Sequence, residues 1–494
     1  MTNVTLLRSA RLAALGLLPL LAACNNNDEN ATPGNPIELK AHSVNPALVK
    51  ALPGFETLQI LPLISSDDVL AGSPNFVFGP QPDGAGLLKN PAAEGGFVLI
   101  NNHEISQSVS RVYLDRTFKP VRGEYILDYN GGTTRLCSAT LATPEEHGFP
   151  IPTFLTAGES GAESMVNALD PLGTANKSNS SRRKPALGKA SMENAVPLNK
   201  QAFPGKTVIV IGEDDTNGQV LLYVSNTPGD LDNGKLYMMK RTNGDPVETS
   251  MSAGTSYDVQ WVEVPNVATM TGAQIAAFSV TNSVLQLARV EDLDYRKGSA
   301  ANNRELYFTA TGVSAADKVT PVAGKTMWGR VYKLNLNATD PIGAAKLEVV
   351  VDGATDPGNY IVNPDNICVT DNYVYIQEDG DSYYRDNNHD GRIWQWAINA
   401  PTQRAKAMLE MDHRRTDATF NAKYNPSNTQ SKSSWEYGAM YDISDLVNTP
   451  NTFLVNLHPH TWQDPKFRNA DGSGATANTN SEGGQVVIVR GVAK

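Results

Sequence analysis

Residues 208–239, VIVIGEDDTNGQVLLYVSNTPGDLDNGKLYMM, contain three apolar runs at 208–211, 220–224 and 235–239. Turn residues such as DLDNG separate the runs, and short β-branched or aromatic runs between Gly, Asn and Asp predict antiparallel strands. The first run stops on the acidic residues of GEDD. This stretch therefore predicts tightly connected strands with carboxylates at a strand end.

The same alternation of short strands and turns continues along the chain. Further strands are expected at 96–101, 306–309, 329–336, 373–377, 391–397, 453–457 and 485–489. Helical periodicity is confined to residues 46–52 and 272–280, so an all-β chain is expected. Polar stretches at 176–185, 412–434 and 464–484 are expected to be long inserted loops. No strict repeat of about 40 to 50 residues is visible, and the pattern alone leaves a β-propeller, a large sandwich and a barrel open.

The N-terminal segment has the features of an export signal. Two arginines precede the apolar stretch LAALGLLPLL, which is too short to span a bilayer. The sequence Leu-Ala-Ala-Cys that follows predicts a lipoprotein signal peptide of residues 1–23 and a lipid on Cys24, with an ordinary secretory signal as the alternative. Residues 24–40 are polar and are expected to form a flexible tether.

The composition limits the possible partners and leaves two cysteines to interpret. Removal of residues 1–23 would leave 39 basic and 52 acidic residues, a formal charge of −13. A chain this acidic is not expected to bind nucleic acid. Cys137 and Cys368 lack the spacing of a metal knuckle, and two separate buried thiols are favoured over one disulfide.

Carboxylates recur where apolar runs end. Four runs end in this way, in FLTAGE (154–159), VIVIGEDD (208–215), LARVEDLD (287–294) and VYIQEDGD (374–381). If these ends meet in space, like charges raise one another's pKa unless a cation lies between them. Ionised oxygen ligands select hard cations, with Ca²⁺ first and Mg²⁺ or Mn²⁺ behind. The alternative is that each acid lies on a solvated turn. Further acids of the same kind are Glu104, Glu193 and Glu436.

Two other segments contain ligand-type residues. Asp-x-Asn-x-Asp-Gly at 386–391 resembles the start of a calcium loop, but Ala397 stands where its bidentate Glu would be, so a surface turn is the alternative. His458 and His460 flank a proline after a strand. One imidazole is expected either to donate a hydrogen bond to an anionic ligand or to be structural.

In order along the chain, several segments resemble the PhoX-type alkaline phosphatases, a family of exported bacterial propellers. The matching segments are NNHE (101–104), CSATL (137–141), FLTAGES (154–160), ALGKASMENAV (186–196), VIVIGEDD (208–215), RVEDLDY (289–295), NPDNICVTDNYVYIQEDGD (363–381), EYG (436–438) and FLVNLHPH (453–460). The resemblance implies a six-bladed β-propeller over residues 41–494, with iron and calcium ions in a central funnel. It also implies hydrolysis of phosphate monoesters at alkaline pH.

The resemblance implies roles for individual residues. Metal binding falls on Glu159, Glu193, Glu291 and Glu436, and further ligands or supporting groups are Asp214, Asp215 and Asp292. In the expected catalytic centre, cations neutralise the phosphoryl oxygens. The residues expected to act there are Glu291, Glu436, Arg289 and His458.

Three positions depart from the family pattern. Ala157 stands where the family carries an iron-binding Cys, which favours an all-oxygen calcium site over iron. Met192 stands in place of a His. Ser434 stands where an Arg would clamp phosphate, so Arg289 or Lys189 would have to substitute.

The sequence thus predicts a metal-dependent phosphohydrolase that acts on small phosphate monoesters outside the cytoplasm, with calcium, or less favourably iron, at the propeller axis. A monomer is expected, anchored through Cys24 to the bacterial cell envelope at its periplasmic face or at the cell surface. One alternative is a non-catalytic calcium-binding propeller that serves as a surface binding protein. Another is a calcium-dependent lactonase or esterase whose metal polarises a carbonyl.

Overall fold

The computed structural model describes residues 35–104, 108–127, 135–159, 161–175, 182–380, 387–426, 434–468 and 481–494. Contacts divide the chain into two units, residues 1–35 and 36–494. The described strands and helices all belong to the second unit. The predicted signal peptide, Cys24, most of the predicted tether, Asp386 and parts of the three predicted loops lie outside the described residues.

Short strands make up most of the described secondary structure. In chain order they are β1 (Val49–Ala51), β2 (Gln59–Ser65), β3 (Pro82–Lys89), β4 (Phe97–His103), β5 (Ser108–Leu114), β6 (Pro120–Leu127), β7 (Arg135–Ala142), β8 (Thr153–Glu159), β9 (Asn167–Leu169), β10 (Met192–Pro197), β11 (Thr207–Glu213), β12 (Val220–Ser225), β13 (Lys235–Arg241), β14 (Ser256–Val264), β15 (Val290–Tyr295), β16 (Glu305–Ala310), β17 (Arg330–Asn335), β18 (Ala345–Asp352), β19 (Pro364–Val369), β20 (Tyr373–Glu378), β21 (Arg392–Ala397), β22 (Lys406–Met411), β23 (Glu436–Asp442), β24 (Thr452–His458) and β25 (Gln485–Arg490). The helices are α1 (Pro144–His147), α2 (Gly272–Thr281), α3 (Ala418–Tyr424) and α4 (Ser444–Val447). The all-β prediction is confirmed. Among the described residues, no helix is both long and apolar enough to cross a membrane.

Local sequence patterns predicted ten of the 25 described strands and one of the four described helices. A strand is present at each predicted strand position, and the helix predicted at 272–280 is α2, which begins with a capping box between Thr271 and Gln274. The helix predicted at 46–52 is wrong. Residues Val49–Ala51 instead form β1, which pairs with β22. Pairing with the distant strand β22 prevails over the local helical periodicity, because it satisfies the hydrogen-bonding groups of the backbone and buries Val49.

The strands form antiparallel sheets arranged like the blades of a propeller. Their strand orders are β1-β22-β21-β20-β19, β10-β11-β12-β13-β14-β18-β17-β16-β15, β2-β25-β24-β23, β3-β4-β5-β6 and β7-β8-β9. The N-terminal β2 pairs with β25, so the two ends of the second unit share one sheet. Apolar side chains pack between sheets, as where Tyr375 of β20 faces Phe453 of β24 at 6.0 Å between ring centroids.

The sheets themselves do not divide into the six blades that the sequence predicts. Strand β14 pairs with both β13 and β18, which joins nine strands into one sheet. The outer strands of that sheet, β10 and β15, contact each other, so the sheet is nearly closed. The sequence has no signal for this join, because it depends on pairing between β14 and a strand more than 80 residues later.

Among the described strands, six form a closed ring in which each contacts the next. In order they are β3, β7, β10, β15, β19 and β23, and β23 contacts β3 again. Each of these ring strands carries a β-bulge, in which two residues lie opposite one residue of the following strand. The bulges are 83–84, 137–138, 193–194, 291–292, 365–366 and 438–439. The opposing residues are Asn102, Ala157, Gly212, Thr309, Gln377 and Asn456.

One opposing position has no room for a side chain. A Cβ on Gly212 would lie 2.6 Å from the carbonyl oxygen of Glu291 and 2.9 Å from that of Val290. Substitution Gly212→Ala is therefore expected to lower the free energy of unfolding by about 1–3 kcal/mol, measured by urea denaturation. In the matched control Gly173→Ala, the new Cβ would meet the Asp170 side chain, with its carboxylate oxygen at 3.1 Å. Equal losses in the two variants would contradict the steric explanation.

A buried histidine at the end of α1 predicts a pH dependence of stability. His147 packs against Tyr295, with ring centroids 6.4 Å apart, and its Nδ1 accepts a hydrogen bond from the Thr143 amide. Burial lowers the pKa of His147 from 6.5 to about 4, although the charge of Glu146 opposes the shift. The unfolded chain therefore takes up the proton first as the pH falls.

The stability that neutral His147 contributes is present above pH 6.5 and is lost as the pH falls towards about 4. Between pH 6.5 and about pH 5, wild type is expected to lose about 2 kcal/mol of unfolding free energy more than His147→Gln does. Urea denaturation at several pH values measures this difference. Parallel pH profiles for the two proteins would contradict it.

Candidate metal centre

The bulges place ligand-type side chains at one level of the ring. The first residues of the six bulges are Asp83, Cys137, Glu193, Glu291, Asp365 and Gly438. Except for the glycine, each has a carboxylate or a thiol, and each is at most 7% exposed. A bulge re-aims side chains out of the regular alternation of a strand. The ring strands thereby gather these groups inside the protein.

The following strands add a second set of groups. Each ring strand pairs with the strand that follows it in the chain. The residue at or just after the end of that following strand lies opposite the residue two positions before the bulge, and a backbone hydrogen bond or strand pairing joins the two residues. The residues at these ends are Glu104, Glu159, Asp214, Thr311, Asp379 and His458. Their partners are Gln81, Arg135, Ser191, Arg289, Asn363 and Glu436. The predicted meeting of strand-end carboxylates in space therefore has a structural basis in the ring.

Possible ligand atoms of these residues lie within 4.8 Å of one another in four groups of three. The groups, drawn from the described residues, are Glu436, His458 and His460; Asp83, Glu104 and His458; Asp83, Cys137 and Glu193; and Glu193, Glu291 and Asp365. His458, Asp83 and Glu193 each belong to two groups. Shared members connect all four groups into one set of residues, here called the central cluster.

The acids of the central cluster are unfavourable neighbours without a counter-charge. Burial raises the pKa of Glu193, and the charge of Glu291 raises it further. Burial and then the charge of Glu104 raise the pKa of Asp83 in the same way. The pKa of Glu104 rises to about 8, through burial and then Glu436. A cation among these oxygens would offset both causes.

Glu436 differs because two imidazoles face it. Nε2 of His458 lies 2.7 Å from the carbonyl oxygen of Pro82, so this nitrogen donates, and Nδ1 is left 3.5 Å from the Glu436 carboxylate. His460 Nε2 lies 3.1 Å from the same carboxylate. Burial alone would raise the pKa of Glu436, but the charges of His458 and His460 outweigh it and hold this pKa well below the usual value. Nδ1 of His458 can thus hold a proton for Glu436 or a lone pair for a cation.

Cys137 is the member that sequence reasoning missed most clearly. Both Cys137 and Cys368 are free and buried, which confirms the prediction of two separate thiols. The Cys137 thiol, however, lies in the central cluster, with its Sγ 3.2 Å from the Glu159 carboxylate. Ala157, the position taken to lack the iron-binding Cys, is the residue that opposes this bulge. The paired strand therefore places a thiol beside the carboxylates, in addition to the oxygen-only group of Glu193, Glu291 and Asp365. The preference for calcium over iron stays a prediction.

Arg289 is held firmly between two acids. Its guanidinium contacts Asp214 at 2.8 Å and 3.1 Å and Glu291 at 2.5 Å. The backbone of Arg289 has φ of 61°, a left-handed conformation that a non-glycine residue seldom adopts. The predicted residues Glu291, Asp214 and Arg289 therefore meet, but Asp214 is engaged by the arginine.

Asp292 does not join the central cluster, although it follows Glu291 directly. Its Oδ1 accepts hydrogen bonds from the Asn194 side chain at 2.6 Å and the Leu293 amide at 2.7 Å, and its Oδ2 accepts one from the Ile367 amide at 3.1 Å. Both oxygens are thus used to connect β15 with β10 and β19. The prediction of a metal-binding role for Asp292 is not supported by this geometry.

Three other predicted positions lie apart from the cluster. Asp215 is exposed, and its carboxylate accepts a hydrogen bond from the Asn217 amide at 2.8 Å within a turn. Lys189, suggested as a substitute for the phosphate-clamping Arg, pairs with Glu163 at 3.1 Å. Asp390 of the calcium-like segment forms two bonds of 2.6 Å with an arginine, Arg415, so its carboxylate is already engaged.

Two aspartates of the ring strands were not predicted as site residues, because the residues next to them are typical of turns. Asp83 follows Pro82 and precedes a glycine, and Asp365 follows Pro364 and precedes Asn366. Such Pro-Asp-Gly and Pro-Asp-Asn sequences ordinarily mark turns. Their recurrence at the start of two strands was the available signal. Arg135 was also missed, and its side chain is 55% exposed at the cluster edge, 3.8 Å from Glu104.

Comparison with known proteins supports the resemblance found in the sequence. Residues 166–430, more than half of the chain, match the sequence profile of the family described as alkaline phosphatase PhoX. The chain belongs to the PhoX alkaline phosphatase family. A search of curated proteins finds no match.

Solved structures add evidence on the fold. Pseudomonas fluorescens PhoX, solved in complex with vanadate, a transition state analogue, matches with a TM-score of 0.59 at 13% identity, covering 92% of this chain and 98% of that chain. This likeness supports the propeller-like fold of a PhoX family member. An α-L-arabinofuranosidase of Fusarium graminearum, solved in complex with arabinobiose, matches with a TM-score of only 0.39 at 11% identity, covering 86% of this chain and 97% of that chain.

Proposed function

We propose that this PhoX family member is a metal-dependent phosphohydrolase that acts on phosphate monoesters at its central cluster. The observation that carries the proposal is the cluster itself, in which buried acids raise one another's pKa, so that a bound cation would stabilise their ionised forms. Membership of an alkaline phosphatase family makes phosphate esters the first substrate class to test.

The donor atoms of the cluster fit cations of two kinds. Asp83 Oδ1 is buried and has no hydrogen-bond partner among the described residues, which points to a ligand. The group of Glu193, Glu291 and Asp365 offers only oxygen and suits calcium. The groups that include Cys137 or the two imidazoles also suit iron.

Six blades are also part of the proposal. Strands β10–β13 and β15–β18 would each form a blade of the usual four strands, with β14 as an additional strand between them. The support is that β10 and β15 occupy successive places in the ring and carry equivalent bulges. Residues 41–494 would then form a single propeller domain.

The residues around the cluster have distinct expected tasks. Bound cations supply positive charge for the phosphoryl oxygens and activate water. Glu193, Glu291, Glu436 and His458 would hold the cations, together with Glu159, Asp83, Cys137 and Asp365. Arg289 keeps Glu291 in place through its 2.5 Å contact. The partly exposed guanidinium of Arg135, at the cluster edge, would orient the phosphoryl group.

An imidazole that can hold a proton also lies beside Glu436. His460 lies between the carboxylates of Glu436, at 3.1 Å, and Glu482, at 2.8 Å. Burial opposes protonation, but hydrogen bonds to these two acids raise the pKa of His460 well above its usual value. If the cations leave its imidazole free, His460 would therefore hold a proton within the cluster, where a leaving alcohol needs one.

Location and assembly remain as the sequence predicts them. The proposal places the protein outside the cytoplasm as a monomeric lipoprotein of the bacterial cell envelope, attached through lipid on Cys24. Its support is the apolar leader and the Leu-Ala-Ala-Cys sequence. An extracytoplasmic phosphatase would meet small phosphate esters there.

One set of measurements tests the function. The purified full chain is assayed for metal content and for turnover of a chromogenic phosphate monoester, with and without chelator and after return of calcium and iron. Turnover that chelator removes and cations restore is the expected result. Metal without turnover would favour the surface binding protein, and turnover of lactones or carboxylesters alone would favour the lactonase or esterase.

A further inference from the structure

Four of the six residues that oppose the bulges have side chains that reach a neighbouring ring strand. Each donates a hydrogen bond to the carbonyl oxygen of the first residue of the next bulge around the ring. At 2.6 Å the bonds run from Asn102 to Cys137, from Thr309 to Asp365 and from Asn456 to Asp83, and a fourth runs from Gln377 to Gly438.

The same arrangement therefore recurs around the ring without a repeat in the sequence. The two remaining opposing residues are Ala157 and Gly212, which have no donor on their side chains. Gly212 packs directly against the Glu291 carbonyl oxygen, as the 2.6 Å approach of a Cβ there shows. At this position, close packing of the Gly212 backbone against Glu291 replaces the hydrogen bond.

The side-chain amide oxygens of the two asparagines indicate the role of these residues. Oδ1 of Asn102 and Oδ1 of Asn456 are buried and have no hydrogen-bond partner among the residues that the structure describes. A buried acceptor without a partner costs stability. An apolar residue would avoid that cost, so the value of these amides lies in the N–H that they donate. Asn102, Thr309 and Asn456 are each fully buried.

We propose that Asn102, Thr309 and Asn456 are positioning residues, each fixing the backbone of a bulge whose side chain faces the central cluster. Residues that orient metal ligands in this way commonly change metal affinity by about 10–100-fold when they are removed. This inference rests on the proposed binding of cations at the cluster. It adds that these hydrogen bonds between ring strands set the geometry of the cluster.

Thr309 gives the cleanest test, since its hydroxyl can be removed at nearly constant volume. Thr309→Val removes the donor to the Asp365 carbonyl, together with the 3.2 Å contacts of the hydroxyl to the Asp292 backbone, whereas Thr309→Ser keeps the hydroxyl. The matched control is Thr207→Val. Thr207 is also buried and donates to a backbone carbonyl at 2.8 Å, that of Thr227, which carries no cluster side chain.

Calorimetric titration of the chelated full chains with calcium chloride measures the affinity, and urea denaturation measures stability. Thr309→Val is expected to bind calcium about 10–100-fold more weakly than wild type. Thr309→Ser is expected to stay within about threefold of wild type, because it retains the donor. Thr207→Val is expected to lose stability but to bind calcium like wild type.

The outcomes separate this inference from the proposed function. Wild-type calcium affinity in Thr309→Val, with a loss of stability like that of Thr207→Val, would overturn the positioning role and leave the phosphatase untouched. Weakened binding in Thr309→Val, with no phosphate-ester turnover by wild type, would support the positioning role and overturn the phosphatase. Absence of calcium binding by wild type would overturn the positioning role as stated.

Discussion

The Glu193→Gln protein is expected to lose phosphate-ester turnover on the order of a thousandfold, yet to be more stable than wild type when both are free of metal. Glu193 belongs to two of the four groups in the central cluster, so its loss removes a ligand from both. Gln keeps the shape of the side chain and removes its charge.

The gain in stability follows from the raised pKa of Glu193. Burial and the charge of Glu291 raise this pKa above 4.5, so the ionising carboxylate destabilises the metal-free fold progressively as the pH rises from there. Gln does not ionise and escapes this loss. The expected gain is about 1.4 kcal/mol for each unit of pKa shift that has been titrated.

Urea denaturation at alkaline pH, with and without chelator, measures the gain, and metal content and turnover measure the loss. Glu213→Gln is the matched control. Burial raises the pKa of Glu213 to about 8, but Glu213 pairs with Met192 and is outside the central cluster. It should gain stability while retaining metal and activity. Retention of full metal content by Glu193→Gln would contradict the proposed role of Glu193.

Arg135→Gln is expected to lower kcat/KM for a phosphate monoester by about 10²–10³-fold while leaving the metal content unchanged. Arg135 and Arg289 occupy equivalent positions, two residues before a bulge. Arg289 is committed to Asp214 and Glu291, and its side chain is 28% exposed, against 55% for Arg135. Of these two arginines, Arg135 therefore has the guanidinium more accessible to substrate at the cluster edge.

Arg135→Lys should give an intermediate result, since an ammonium keeps the charge but cannot bind two oxygens in a planar fork. Arg122→Gln serves as the control, because Arg122 packs over the Tyr113 ring rather than beside the cluster. Steady-state kinetics and metal analysis of the three variants make the comparison. Unchanged kcat/KM in Arg135→Gln would assign phosphate binding to another group.

Part of the candidate site could be predicted because its signal is local. Glu159 and Asp214 end apolar runs, and a run followed by acids is visible in any reading of the chain. Each lies at the end of the second strand of a pair, where the strand delivers it to the ring. Strand, turn and strand-end acid are all set by neighbouring residues.

The positions of Asp292 and Cys137 relative to the cluster could not be predicted from neighbouring residues in the sequence. Glu291 and Asp292 are adjacent acids in one strand, and only the pairing of β15 with β16 decides which of them faces the cluster. Cys137 enters the cluster because a bulge lies between Leu136 and Ala139. A bulge is a property of two paired strands, so one strand's sequence does not reveal it.

The sequence by itself determined the strands, the turns, the family resemblance and the supply of hard, anionic ligands, because each depends on residues close together in the chain. Only the tertiary structure decided which ligands meet. Ring order, bulge register and the contacts that join one sheet to the next are long-range pairings. They place Asp83, Glu193 and Asp365 within one cluster and keep Asp292 and Asp215 out of it.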